Sequence, residues 1–316
     1  MMFSKILLNW YKINSRDFPW RRTKDPYKIW LSEIILQQTR IEQGMPYYIK
    51  FIKRFPTIFH LAKSKEEVIF KLWQGLGYYS RASNLHFTAK FIVNKYNGEF
   101  PKSFVELKKL KGIGDYTASA IASICFDISE AVIDGNVYRF LSRFFGIDTP
   151  INTNLGFKIF KEKANKLIKG NSPGDFNQAI MDFGSIQCKP KKPNCKACIF
   201  SNKCFALKNK KVEYYPLKKN NLEVKTRFFN YLVIYNSKKQ IVLEKINRKG
   251  IWNKLYQFPL IESDKIINHP DNKFQEIIQK FSNEQSSQIT LINKKLITHK
   301  LSHQKLIIQF WGIKLD

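Results

Sequence analysis

Leu110-Lys111-Gly112-Ile113-Gly114-Asp115-Tyr116-Thr117 stands between two runs of helical periodicity. Leu107 and Leu110 precede it, and Ala118, Ile121, Ala122 and Cys125 follow at three- and four-residue spacing. The stretch therefore predicts a helix, a glycine-tight turn and a second helix. Gly112 and Gly114 allow backbone N–H groups to approach a phosphate closely, and the positive end of the second helix starts there. This is the helix-hairpin-helix device for gripping a nucleic-acid backbone without reading its sequence. An ordinary helix–helix turn accounts for the same residues.

Four of the five cysteines fall in one short window, Cys188, Cys195, Cys198 and Cys204, in the order C-x6-C-x2-C-x5-C. Thiolates this close suit a shared metal centre better than disulfides. Structural zinc usually takes two tight C-x2-C knuckles. One such pair with wider arms on both sides favours a cubane iron–sulfur cluster, with zinc and unligated thiols as the alternatives. Cys125 lies in the apolar run 121–126 and reads as a core thiol.

Two carboxylates carry the chemistry. Glu33 follows a helix start at Asp25-Pro26 and shares the helix surface with Ile29, Trp30, Leu36 and Gln37. An acid among such neighbours loses solvation when ionised, so its pKa rises and it can donate a proton near neutrality. The plainer reading is a Glu at the edge of an amphipathic helix. Asp134, in Ala131-Val132-Ile133-Asp134-Gly135-Asn136-Val137, sits where an N-cap belongs, and capping alone explains it. A carboxylate facing a helix N-terminus also stays ionised. One acid kept protonated and one kept charged is the pairing that glycosidic-bond cleavage requires.

Lys and Arg number 54 against 25 Asp and Glu, a formal charge of +29, which attracts a polyanion, nucleic acid before membrane. An AT-rich genome, which inflates Lys, Ile and Asn, accounts for part of the excess. No stretch approaches the roughly 20 apolar residues of a membrane span, and the start has no secretory cleavage pattern. A protein of the cell interior, cytoplasmic and with reduced thiols, is expected. The pattern is helical to about residue 208. Residues 209–226 read as a polar linker. Beyond it, Phe228–Tyr235 and Gln240–Leu243 read as strands joined by a turn at Asn236-Ser237, 273–284 as a helix and Leu306–Leu315 as a strand. That tail, 227–316, is a small α+β module.

Seven stretches together resemble the MutY family of adenine DNA glycosylases, within the helix-hairpin-helix and iron–sulfur superfamily that includes endonuclease III. They are Pro19–Arg22, Ser32–Thr39, Gln74–Arg81, the Gly112–Thr117 hairpin, Ile133–Val137, Phe176–Gly184 and the four cysteines, in the family's order over about residues 16–204. The resemblance implies a mainly α N-terminal region over 1–208, a six-helix barrel plus an iron–sulfur cluster helical domain, followed by a Nudix-like C-terminal domain. It implies a [4Fe-4S] cluster on Cys188, Cys195, Cys198 and Cys204. It also implies that Glu33 protonates N7 of an extruded adenine and then activates water, while Asp134 stabilises the oxocarbenium ion, assisted by Asn136 and Tyr116. Gln37 and Tyr78 resemble the family's wedge into the duplex. Leu36, Gln38, Thr39, Leu76, Trp20 and Arg21 would line or support the adenine pocket and the opposing base, and Gly112 and Gly114 would meet the backbone. Tyr116 stands where related lyases carry a lysine nucleophile, which implies a monofunctional enzyme.

In the family the tail recognises 8-oxoguanine opposite adenine. Gly250–Pro259 and Thr298-His299-Lys300-Leu301-Ser302-His303 resemble its segments, with Leu301 in place of the usual Phe and Asn253 and Lys254 in place of glycines. Ser302 and His303 are the implied lesion contacts; an edge turn with a solvated His is the alternative. Residues 273–284 lack the Glu-dense cluster of Nudix hydrolases. The basic loop 189–194 between Cys188 and Cys195 reads as a phosphate contact or as a merely solvated loop. The expected partner is double-stranded DNA containing 8-oxoguanine:A or G:A, bound by a monomer, with downstream repair factors after it. A non-catalytic duplex-binding protein is the competing reading, against which the two acids stand.

Overall fold

A computed structural model of the chain describes residues 2–219, 224–248, 250–281, 288–301 and 303–315. Contacts divide the chain into two compact units, Met1–Lys219 and Asn220–Asp316. The division falls inside the stretch read as a linker, and the first part of that stretch is fixed to the helical unit. Tyr215 is buried, its carbonyl accepts from Arg143 Nε at 3.2 Å, and the Leu217 carbonyl accepts from the Ile151 N–H at 3.0 Å.

The first unit is helical: α1 (Met2–Asn14), α2 (Pro26–Leu36), α3 (Ile41–Arg54), α4 (Ile58–Lys63), α5 (Glu66–Trp73), α6 (Ser80–Tyr96), α7 (Phe104–Lys109), α8 (Asp115–Phe126), α9 (Gly135–Phe145), α10 (Asn154–Ile168), α11 (Pro173–Ile186) and α12 (Phe205–Lys208). Helix α1 packs on α10 and α11, so the start of the chain closes against its later helices, while α2 packs on α3, α6 and α8. Helix α11 touches both α8 and α9 and joins these groups. The hairpin forms as read: α7, a turn at 110–114, then α8. Gly112 has φ +82, and a Cβ there would come within 2.9 Å of Asn84 Cβ, so glycine is required on two counts.

Among the described residues, the second unit is a mixed sheet with one helix. Its strands are β1 (Lys225–Asn236), β2 (Glu244–Lys245), β3 (Tyr256–Gln257), β4 (Leu260–Ser263), β5 (Ile289–Leu291), β6 (Ile297–Lys300) and β7 (Gln304–Leu315), with α13 (Asn272–Ile278) between β4 and β5. The order is β4-β1-β7-β5, with β6 also on β7 and β1–β7 parallel; β2 pairs with β3 separately. Alternate residues of β1 serve both faces. Leu232 and Ile234 pack with Phe274, Ile278 and Trp311, and Phe229 and Tyr231 pack with Leu306 and Ile308. Among the described residues, no helix of either unit is long and apolar enough to cross a membrane.

Three expectations shift. Gln240–Leu243 is not a strand. Ile241 bridges to Tyr235 and the Val242 N–H donates to the Ile234 carbonyl at 3.0 Å, but Ile241 and Leu243 lie exposed, and half-buried Val242 alone packs on the core. The helix read over 273–284 stops at Ile278, and 282–287 lie outside the described residues. Strand β7 begins two residues earlier than read.

Of the two positions after Trp252 where glycines were expected, Lys254 keeps a left-handed backbone with φ +69, and Trp252 before them has φ +60. A non-glycine residue there carries a cost of ~1–2 kcal/mol. Lys254→Gly should therefore raise the stability of the C-terminal unit by about 1 kcal/mol, after the extra chain entropy of glycine is offset. The readout is hydrogen-exchange protection of the β1 and β7 amides in the full chain. Unchanged or reduced protection would contradict it.

Candidate active site and thiol centre

Helix α2 presents Glu33 from an otherwise apolar helix. Asp25 Oδ1 accepts the Tyr27 N–H at 2.9 Å and starts the helix, with Pro26 in its first turn. Ile29, Trp30, Leu31, Ile34 and Ile35 are buried around it. Asp134 caps α9: its Oδ1 accepts from the Val137 N–H and its Oδ2 from Asn136 Nδ2, each at 2.7 Å. Both carboxyls open into one cavity of about 410 Å³, walled by Phe18, Trp20, Ile29, Leu36, Ile124, Ile133 and Met181. That volume lies within the range of small-molecule sites, ~300–1,000 Å³.

The walls set the proton affinities. Desolvation pushes Glu33 up to about 7; the Asp134 charge adds to the rise, and the Tyr116 hydroxyl and Arg21 oppose it. Asp134 is also raised, because burial outweighs its cap from Val137 and Asn136. The expectation that the helix N-terminus alone would hold this acid down is corrected: dehydration is the larger effect. The two acids still differ, since every donor on Asp134 favours its anion. Tyr116 is raised well above the usual phenol value, first by burial and then by Glu33 and Asp134, so it stays a neutral donor. Its hydroxyl lies 3.3 Å from Met181 Sδ.

Asn136 is held by Arg139. Arg139 Nη2 donates to Asn136 Oδ1 at 2.9 Å and to the Gly184 carbonyl at 2.5 Å, and Nε donates to the Cys188 carbonyl at 2.8 Å. One guanidinium thus joins the first cysteine to the residue that holds Asp134. Helix α11 comes this close because position 184 is glycine; a Cβ there would lie 2.7 Å from the Asn136 carbonyl oxygen.

The sequence reading missed Arg16, Gln178, Met181, Asp182 and Arg139. Asp182, fully buried, takes charge-assisted bonds from Arg16 and from Arg21 (2.6 and 2.9 Å), which hold its carboxyl below the usual range against desolvation. Gln178 Oε1 accepts from the Tyr11 hydroxyl at 2.7 Å, one turn before Asp182 on the same face of α11. The available signal was a carboxylate inside the apolar run Phe176–Gly184.

Trp20, Arg21, Leu36, Gln37, Gln38 and Thr39 line the cavity; Leu76 and Tyr78 do not, and lie in the loop after α5. Gln37 was read as the wedge partner of Tyr78, but its side chain turns inward, Nε2 to Thr117 Oγ1 at 3.3 Å. Gln38 instead stands exposed in the left-handed region (φ +54), as does Tyr78 (φ +46). A polar side chain with an acceptor at hand under the loop folds back to it, which the repeat Gln37-Gln38 did not reveal. Gly114 is the N-cap of α8, with open space where a Cβ would sit.

The four cysteines line a small cavity of about 30 Å³ walled by Phe140, Phe144, Phe183 and Phe200. Arg143 Nη1 points at Cys188 Sγ (3.5 Å) and the Phe200 N–H at Cys198 Sγ (3.4 Å). Arg143 also donates to the carbonyls of Lys189 and Pro190, at 2.7 and 3.0 Å. Donors aimed at sulfur suit thiolate ligands. Among the described residues, no three Cys, His, Asp or Glu side chains meet as a single-ion site. In the second unit, His303 is exposed in the turn between β6 and β7, where the Leu301 N–H donates to the Gln304 carbonyl at 2.8 Å; Ser302 lies outside the described residues.

Residues 31–166 match the family described as HhH-GPD superfamily base excision DNA repair protein. An adenine DNA glycosylase of Buchnera aphidicola subsp. Baizongia pistaciae is 38% identical over 98% of this chain and 85% of its own length. That of Buchnera aphidicola subsp. Schizaphis graminum is 40% identical over 89% and 84%. A solved thermostable thymine-DNA glycosylase superposes with TM-score 0.62 at 32% identity, covering 66% of this chain and 96% of that one. An endonuclease III–DNA complex shares the fold over 66% of this chain at TM-score 0.57 and 20% identity, covering 96% of that chain. The chain therefore belongs to the adenine DNA glycosylase family, within the HhH-GPD superfamily of base excision DNA repair proteins.

Proposed function

We propose that this enzyme is a monofunctional glycosylase that removes adenine paired with 8-oxoguanine or G in duplex DNA. The observation that carries the proposal is the pair of acids in one dehydrated cavity, one lifted to about 7 and the other surrounded by donors that favour its charge. An adenine turned out of the stack enters between Trp20, Leu36 and Ile133. Glu33 gives its proton to N7. The C1′–N9 bond then breaks with its electron pair moving to the base, and the sugar becomes an oxocarbenium ion. The Asp134 carboxylate, oriented by Asn136, stabilises that cation. Glu33, now ionised, takes a proton from the water that attacks C1′ and is ready again.

The remaining assignments follow the same chemistry. Gly112, Gly114 and the basic loop 189–194 grip phosphates, so affinity falls steeply with salt. Gln38 and Tyr78 fill the space left by the extruded base, while Gln37 braces the loop from within. Cys188, Cys195, Cys198 and Cys204 would hold a [4Fe-4S] cluster, whose iron–thiolate bonds fasten the loop 188–204 when bound. His303, with Ser302, is the lesion contact on the second unit.

Glu33→Gln should abolish base release in a single-turnover assay while duplex binding persists; near-native release would remove Glu33 as the acid. The same change should stabilise the fold. Between its unfolded pKa near 4.5 and its folded pKa near 7, wild-type Glu33 progressively loses stability relative to a neutral residue as pH rises. The variant should therefore gain ~3 kcal/mol at pH 8 and little at pH 4, read by urea denaturation at the two values.

Adenine release by the wild type should fall as pH rises through about 7, because the active form carries the Glu33 proton. A rate flat from pH 6 to 9 would contradict that assignment. Tyr116→Lys places an amine against Glu33 and Asp134, and strand nicking on a labelled duplex is the expected gain. No nicking would count against the position given to Tyr116.

A further inference from the structure

One buried side chain joins the two loops that carry Gln38 and Tyr78. Arg81, in the first turn of α6, is 8% exposed. Its Nη1 donates to the carbonyls of Ile34 (3.1 Å), Ile35 (2.9 Å) and Gln37 (2.5 Å) and to Thr39 Oγ1 (3.3 Å), sharing its hydrogens among them. Its Nη2 donates to the carbonyls of Leu76 (3.3 Å) and Gly77 (3.2 Å), on the other loop. The guanidinium lies over Trp73 at 5.2 Å and Tyr78 at 5.7 Å.

Three features separate this from ordinary packing. The Ile34 and Ile35 carbonyls belong to the acceptors that the last turn of α2 leaves unpaired, and a cation there meets the negative helix end. Among the described residues Arg81 pairs with no carboxylate, so its buried charge rests on carbonyl dipoles and ring faces. Each loop also holds a non-glycine residue left-handed, Gln38 and Tyr78, with the side chain directed outward. Such backbones persist only where their surroundings fix them. A planar fork meets acceptors on two loops at once, which an ammonium on a flexible stem does not reproduce.

We propose that Arg81 is a positioning residue that fastens the two loops into one wedge, so that Gln38 and Tyr78 enter the duplex together as adenine is extruded. This rests on the adenine-excision reading above. Arg81 touches no reacting atom; it acts on extrusion, not on bond cleavage. Its loss should therefore matter in proportion to the stacking that the wedge must overcome.

The test compares single-turnover excision by Arg81→Lys and Arg81→Met on two duplexes, adenine opposite 8-oxoguanine and adenine in an unpaired bulge. Rates are taken with enzyme in excess and corrected by circular dichroism for the folded fraction. Misplacing the loops by about an ångström should cost on the order of 10²-fold on the paired substrate and under ~10-fold on the bulge. Equal losses on both substrates, or no loss on the paired one, would overturn the proposal. If neither variant folds, Trp73→Phe weakens the ring face against the guanidinium and removes the Trp73 Nε1 bond to the Gly77 carbonyl (2.9 Å), and a smaller loss confined to the paired duplex is expected; a loss blind to the substrate again overturns it. Wild type that leaves adenine in both duplexes sinks the excision reading and the wedge with it. Active wild type with substrate-blind variants sinks the wedge alone.

Discussion

Dehydration of Glu33 is the constraint on which the rest of the first unit depends. A carboxyl walled by Ile29, Leu36, Ile133 and Met181 keeps its proton near neutrality only if lost solvation outweighs the donors that favour its anion. Desolvation prevails here over the Tyr116 hydroxyl and Arg21. Helix α11 seals one side and supplies Met181, while Asp182, whose charge would otherwise compete, is committed to Arg16 and Arg21. More donors that favour an anion are gathered on Asp134, through the α9 cap and the Asn136–Arg139 contact. An unfavourable burial at one position is thereby maintained by favourable hydrogen bonds at its neighbours.

The same logic links distant stretches of chain. Arg139 reaches the Cys188 carbonyl and Asn136 at once, and Arg143 ties the loop 188–190 back to α9. Order in the cysteine loop and orientation of Asp134 therefore share one helix face. Gln37 meets Thr117 of the hairpin's second helix, which joins the α2 loop to the turn proposed to grip the DNA backbone. Hairpin and cavity thus belong to one compact unit of helices.

Much of this was legible in the sequence where local chemistry decides the outcome. The two glycines fixed the hairpin, Asp25-Pro26 fixed the start of α2, and Asp134 declared itself by its place before a helix. What stayed hidden depends on tertiary neighbours. Asp182 and Gln178 sit in an apolar helical run, and nothing in their own spacing says that Arg16, Arg21 and Tyr11 converge on them. Gln37 and Gln38 are identical in type, so only the fold shows which one turns inward to Thr117. The net effect on Asp134 was likewise out of reach, because a cap is visible in sequence but the depth of burial is not. In the tail, strand propensity at 240–243 gave way because only Val242 of the stretch reaches the core while Ile241 and Leu243 face solvent.

The central claim is that Glu33 holds a proton at neutrality in the free protein, before any DNA is bound. Carbon-13 NMR titration of glutamate side-chain carboxyls, with Glu33→Gln used to assign the resonance, measures it directly. The account predicts a midpoint for Glu33 near 7. A midpoint near the ordinary glutamate value, about 4.3, would contradict it.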